Sequence, residues 1–199
     1  MSISRRALLT SALAAGLLPH RHALALTGEP FPVFDSDAQE VASKYRRWTV
    51  DYKTKEPPGT VVVDTKRRFL FHVQEGGKAT RYGVGVGKDG RSWYGEATIG
   101  RKEKWPVWVP TPEHIAEYPY IVKWIHGMPG GKNNPMGARA LYLYQGDVDT
   151  VIRIHGAIKS DMIGKKITAG CISLLNIEII HLYERVDIGT KVVILPPNA

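Results

Sequence analysis

The chain has 199 residues, 27 Lys plus Arg against 19 Asp plus Glu, and one cysteine. A lone thiol excludes an intramolecular disulfide, and no CxxC or Cys/His cluster offers a zinc site, so neither cofactor nor metal is expected. The formal charge of +8 comes from scattered Lys and Arg rather than basic clusters interleaved with aromatics, which argues against nucleic acid as a partner and leaves an anionic polymer or surface open.

The N-terminus, MSISRRALLTSALAAGLLPHRHALA, has the order of an export signal: Arg5-Arg6, an apolar and small-residue run over 7–18, then Ala23-Leu24-Ala25 as a small-x-small cleavage site. That run is shorter than the roughly 20 apolar residues a membrane span needs, and no later stretch is long or apolar enough, so no transmembrane segment is expected after signal removal. Ser4-Arg5-Arg6 resembles a bacterial twin-arginine signal, with the general secretory route as the alternative, and either implies a periplasmic destination. Removing 1–25 takes away Arg5, Arg6 and Arg21 and no acid, leaving 24 basic against 19 acidic residues, or +5.

The remaining 174 residues suit one domain. Residues 26–58, rich in Pro and polar side chains, read as an N-terminal arm, and the domain proper is expected over 59–196. Short β-branched or aromatic runs at 60–63, 69–73 and 82–86, separated by turn compositions, predict a meander. Further strands are expected at 97–101, 141–144, 151–155 and 191–195. One helix is expected, with Asn176 as N-cap to 177–186, where Ile179, Ile180, Leu182, Tyr183 and Val186 form the apolar stripe. Between the strands lies a long section, 102–140, with six prolines; a loop of that length in a compact domain is usually functional. Mainly β is therefore the expected class.

The chemistry-bearing stretch is IHGAIKSDMIGKKITAGCISL, 154–174. His155 stands at the end of a predicted strand, and Thr168-Ala169-Gly170-Cys171 is a tight small-residue turn. If the turn folds back on the strand end, imidazole and thiol meet. A hydrogen-bonded histidine then raises the thiolate fraction and later protonates a leaving amine. The N–H groups of Gly170 and Cys171 are candidate oxyanion donors. A Cys and a His at this spacing are a weak signal alone, and an inert buried thiol stays open at this point.

His155-Gly156, Gly164, Thr168-x-Gly170-Cys171-Ile172, Asn176 and LYERVDIGTKVVI (182–194) together resemble the L,D-transpeptidase (YkuD-like) catalytic domain. Upstream, VVVDTKRRFLFHV, YGVGVGKDG, WPVWVPTP and MPGGKNNPMGARALYL resemble that family's blocks in order, so the likeness runs over about 59–195. The resemblance implies a β-sandwich-like domain with one helix after the cysteine and a lid-like loop over 102–140. It implies peptidoglycan stem peptides as partners, Cys171 as nucleophile, His155 as acid/base and the Gly156 carbonyl as the group that orients the imidazole.

Two departures stand out: Ser173 where the family has Arg, a five-donor fork that serine does not imitate, and Ala169 where many members carry His. Thr168, Ser173, His126 and Trp124 are the candidate substrate-binding residues. Trp105, Trp108, Tyr118 and Tyr120 join Trp124 in the long section, either gripping substrate or packing the loop. The glycines of YGVGVG fit a strand and turn beside the cleft better than a nucleotide loop, since no helix follows. Rival functions are trimming or exchange, with water or a D-amino acid taking the acyl group, and a wall-binding module without catalysis.

Overall fold

The computed structural model describes residues 25–88, 91, 93–157 and 159–196. The export signal expected over 1–25 lies outside them except for Ala25. Among the described residues no helix is long and apolar enough to cross a membrane.

The chain runs β1 (Trp48–Asp51), β2 (Val61–Asp64), β3 (Phe69–Gln74), β4 (Lys78–Gly83), β5 (Val86–Gly87), β6 (Gly95–Lys104), α1 (Pro112–Glu117), β7 (Arg139–Gln145), β8 (Val148–Ala157), β9 (Lys166–Thr168), β10 (Ile172–Leu175), α2 (Asn176–Tyr183) and β11 (Lys191–Ile194). Nine strands form one sheet in the order β1-β4-β3-β2-β11-β6-β7-β8-β10, and β5 pairs with β9. The C-terminal strand β11 lies parallel to β2 and antiparallel to β6, joining the meander to the second half. The far edge is tied back: Ser173 of β10 and Gly85, between β4 and β5, exchange backbone hydrogen bonds of 2.8 and 2.9 Å. A sheet folded back in this way encloses a single core, as a sandwich does.

That core follows from period-two alternation. Val61, Val63, Leu70, Ile99, Leu141, Leu143, Ile154 and Leu174 are fully buried on one face, together with Ile179 and Leu182 of α2. Burying each such side chain stabilises the fold by about 1.5–3 kcal/mol. On the opposite face of the meander Val62, Phe71 and Val73 are also buried. Tyr52 from the arm stacks on Phe71 with ring centroids 4.3 Å apart.

The arm is therefore less irregular than its composition suggests, since β1 extends the sheet antiparallel to β4. Glu29 accepts hydrogen bonds from Arg139 and from Trp105 Nε1 (2.7 Å), and Phe31 packs edge-on to Trp105 at 4.8 Å. The strand expected at 82–86 instead begins at Lys78, inside the predicted turn, and breaks after Gly83. Two short strands, β9 and β10, are absent from the expected elements because they flank the turn and cysteine read as chemistry. Asn176 is not the N-cap of α2: it is the first helical residue, and its Oδ1 accepts from Ala138 N–H at 2.8 Å. The helix ends at Tyr183, short of the expected 186, where Lys102 Nζ donates to the carbonyls of Tyr183 (2.8 Å) and Val186 (2.5 Å). A cation on the last carbonyls satisfies acceptors the helix leaves open.

Candidate active site

Strands β8 and β10 lie side by side in parallel register, Ile172 opposite Ile154 and Ser173 opposite His155. Ile154 and Ile172 point into the core. Alternation sends His155 to the other face, and Cys171, one residue before β10, turns the same way. Both line one cleft of about 450 Å³.

His155 is 7% exposed, and its Nδ1 lies 2.7 Å from the carbonyl oxygen of Gly156. A carbonyl only accepts, so Nδ1 carries the proton and Nε2 presents a lone pair. Burial holds the imidazole down at about 4, against the raising effect of the Gly156 bond, and the charge of Arg153 adds to the fall. The base form is thus the resting state at neutral pH. Gly156 itself has no room for a side chain: a Cβ would stand 2.2 Å from Asn176 Oδ1 and 2.9 Å from Ala138 N. The Asn176 to Ala138 bond, which displaced the expected helix cap, therefore packs against the residue that orients the base.

The Cys171 thiol is open to the cleft on one side and enclosed by protein on the others. Burial pushes it above its ordinary value, opposed by a backbone hydrogen bond and the charge from Arg153, with Asp149 adding to the rise. Both members of the pair thus rest neutral, and the thiol must lose its proton during attack rather than before it. Its Sγ lies 3.9 Å from the carbonyl oxygen of Val151. Val151 has φ 62, a left-handed conformation that a β-branched residue rarely adopts, beside a register shift between β7 and β8. Asp149 braces this bulge, accepting from Val151 N–H at 2.8 Å and gripping Arg153 at 2.6 and 2.8 Å.

The turn before the cysteine is organised by Thr168, whose hydroxyl donates to Cys171 O at 2.5 Å and accepts from Gly170 N–H at 3.3 Å. Gly170 has φ 139, and a Cβ there would meet Arg91 O at 2.9 Å, so glycine is required twice over. Of the two expected oxyanion donors, the one on Gly170 is engaged by this long bond.

The far wall of the cleft is the long section, which β6 and β7 shorten to 105–138. Thr111 caps α1 in a reciprocal capping box with His114. A 3₁₀ turn, Pro119–Trp124, follows. Trp108, Tyr118, Tyr120, Trp124 and Met128 line the cleft from this side. Trp105 does not; it packs on the arm.

His155, Cys171, Thr168 and Trp124 are thus brought to one cleft. Two candidate substrate-binding residues are corrected. Ser173 faces the same side as His155 but is fully buried, its Oγ unpartnered, and does not line the cleft, because the paired Gly85 segment covers it. His126 is exposed outside the cleft, since the Trp124-to-Gly127 turn carries it away. Lys88, Arg91 and Glu117 line the cleft and escaped the sequence reading, because nothing local marks an ion pair formed between segments so far apart. Among the described residues no group of three or more His, Cys, Asp and Glu side chains is gathered as a metal site.

A neutral thiol in the turn before β10 and a base-form imidazole on the adjacent strand β8, under a loop, define a cysteine–histidine cleft suited to acyl transfer. Residues 58–194 match the L,D-transpeptidase catalytic domain family (YkuD), and the chain belongs to it. It is 31% identical over 142 residues to the Escherichia coli K12 protein named "Probable L,D-transpeptidase ErfK/SrfK", covering 69% of this chain and 44% of that one. The chain thus spans less than half the length of that relative. A structure from Mycobacterium smegmatis titled as an L,D-transpeptidase shares the fold, with TM-score 0.50 at 18% identity over 69% of this chain and 58% of that one. A Brucella melitensis structure, 42% identical with TM-score 0.54 over 81% of this chain and 99% of that one, is titled "Probable carnitine operon oxidoreductase caia". That title names a different activity for a protein similar over most of its length. In this chain the glycine run 83–87 lies in and between β4 and β5, and among the described residues the next element is strand β6, unlike a dinucleotide-binding loop that opens a helix.

Proposed function

We propose that this protein is an exported, periplasmic L,D-transpeptidase acting on peptidoglycan stem peptides, built as a signal over 1–25, an arm over 26–58 and a catalytic domain over 59–196. As the donor carbonyl between meso-diaminopimelate and D-Ala settles over Cys171, Sγ attacks its carbon while the thiol proton passes to His155 Nε2. The Gly156 carbonyl holds the ring and stabilises the imidazolium through Nδ1–H. The oxyanion is met first by Cys171 N–H, with Gly170 N–H joining if it leaves Thr168. Collapse of the tetrahedral intermediate breaks the C–N bond, and the imidazolium returns its proton to the departing D-Ala amine, leaving a thioester. An amine of a second stem gives a proton to His155 and attacks the thioester; the thiolate leaves and takes that proton back.

The observation that carries this reading is the Nδ1 bond to Gly156 O, which fixes the tautomer in a cleft shared with the thiol. No carboxylate is needed as third member, because a backbone oxygen does its work. The test is purified full chain with a disaccharide-tetrapeptide: 3→3 linked dimers by mass spectrometry support transfer. Crosslinks made equally well by Cys171→Ala would overturn it. Labelled D-amino acid in the same mixture separates exchange and trimming from crosslinking by the mass of the product. Pull-down on sacculi with no carbapenem adduct at Cys171 would identify a wall-binding module instead.

A further inference from the structure

Across the mouth of the cleft, the Glu117 carboxylate of α1 is held by two cations from the opposite wall. Lys88 Nζ reaches Oε1 at 2.8 Å and Arg91 Nη1 reaches Oε2 at 3.1 Å, so each oxygen has its own positive donor. Tyr118 OH adds a third bond to Oε1 at 3.0 Å. The three charged side chains line the same cleft as Cys171 and His155. Two cations converging on one carboxylate are a carboxylate receptor, here filled by a residue of the protein itself.

The two sides of the contact are anchored differently. Lys88 N–H donates to Thr168 O at 3.0 Å, and Arg91 N–H donates to Lys88 O at 2.9 Å. The Arg91 carbonyl oxygen lies against Gly170, 2.9 Å from where a Cβ on that residue would stand. Both cations are therefore fastened by their backbones to the 168–171 turn that carries the nucleophile, and they stay with it if the lid moves. Glu117 comes from the lid, on a six-residue helix with no buried residue. Partners that are 44–46% exposed on the cationic side make an ion pair of the weak, solvent-screened kind, readily exchanged for a competing carboxylate.

We propose that Lys88 and Arg91 form a carboxylate subsite of the cleft, occupied in the resting protein by Glu117, and that a carboxylate of the donor peptide displaces Glu117 as the lid lifts. The subsite rests on the reading of the cleft as a peptide-donor site. It gives that site a preference for donors bearing a free carboxylate near the scissile bond. It also gives the lid a trigger, since the ligand that needs entry competes for the contact holding the lid shut.

The experiment uses full-length Cys171→Ala protein, so that binding is read without turnover, and two probes: a tetrapeptide stem ending in a free D-Ala carboxylate, and the same peptide as its C-terminal amide. Calorimetry is expected to show the acid bound about tenfold more tightly than the amide. Adding Lys88→Gln and Arg91→Gln together should erase that ratio. Adding Glu117→Gln instead should strengthen binding of the acid several-fold and change the amide little, because the competitor loses its charge. A simple lid fastener predicts that either change shifts both peptides alike; that result, or equal binding of acid and amide before any further change, overturns the subsite. The Glu117→Gln arm alters one exposed lid side chain and decides the matter even if the double variant folds poorly. Intact-mass detection of the thioester on wild-type protein is scored separately. Its absence overturns the transferase reading, while the acid-to-amide ratio still decides the subsite.

Discussion

The floor and the roof of the cleft are built by opposite means. On the floor, His155 and Cys171 sit on neighbouring strands and their turn, with Ile154, Ile172 and Leu174 buried beneath them and nearly every group tied to backbone. The roof, 105–138, is held by one capping box, by Glu117 to two exposed cations and by Asn134, whose side-chain amide donates to the carbonyls of Pro106, Met128 and Pro129. Reacting atoms are thus held by a core that is costly to move, whereas the mouth of the roof, where Glu117 meets Lys88 and Arg91, is held by exposed contacts easily exchanged. The same substitution has different consequences on the two sides, and the predictions probe that contrast.

The largest effects belong to the floor. Cys171→Ala is expected to abolish thioester formation and carbapenem adducts by intact mass, while leaving the melting temperature within a few degrees, since the thiol is open to the cleft on one side. Gly156→Ala combines loss of activity with loss of stability. A methyl placed 2.2 Å from Asn176 Oδ1 is expected to cost about 1–3 kcal/mol in denaturant unfolding as β8 and α2 separate. In a double-mutant cycle with Asn176→Ala, the cost of Gly156→Ala should shrink, because the obstructing oxygen is gone although Ala138 N–H is left unpaired. Equal cost in both backgrounds would show that the oxygen is not the obstruction.

How much was legible follows the same divide. The floor was readable because alternation fixes which residues face inward, and because HG and TxGC sit where two strands end. The arm was not, because its contribution is one short edge strand and isolated contacts such as Tyr52 on Phe71 and Glu29 on Arg139, which leave no periodic trace. Asn176 misled for a physical reason: a polar residue at a helix start is usually a cap, and here its side chain serves a distant backbone N–H instead. Ser173 and His126 stand close in sequence to motifs, but pairing with Gly85 covers Ser173 and a turn carries His126 away from the cleft. The ion-paired mouth had no local signature at all, since Lys88 and Glu117 are far apart in the chain.

Acid should separate floor from roof through charge. Burial holds both His155 and His181 near 4 in the folded protein, against about 6.5 when unfolded. Below pH 6.5 the unfolded chain therefore gains protons that the native state refuses, so stability is flat above that point and falls steadily toward pH 4. Glu178, pushed up by burial, works against this trend just above its ordinary range. The acid limb of kcat/KM for the donor should likewise lie near pH 4 rather than 6.5, since His155 accepts the proton until then. Cys171, shifted up, should react with iodoacetamide at pH 7 more slowly than an exposed cysteine in the unfolded chain. An acid limb near 6.5 would place His155 in a wetter setting than the cleft provides.

The smallest effect is expected on the roof and is also the most specific to it. Thr111 Oγ1 accepts from His114 N–H at 3.3 Å and its own N–H donates to His114 Nδ1 at 3.4 Å, so Thr111→Ala removes one arm of the box that starts α1. A lost cap costs about 1 kcal/mol. Because α1 buries no residue, that cost is confined to the lid and should leave the global unfolding midpoint nearly unchanged. It should appear instead as faster amide exchange over 112–124 and as a raised KM for the donor with kcat little altered, the signature of a looser binding wall over an unchanged floor. A global loss of stability from Thr111→Ala would mean that the roof is part of the cooperative core, and the contrast between the two sides of the cleft would disappear.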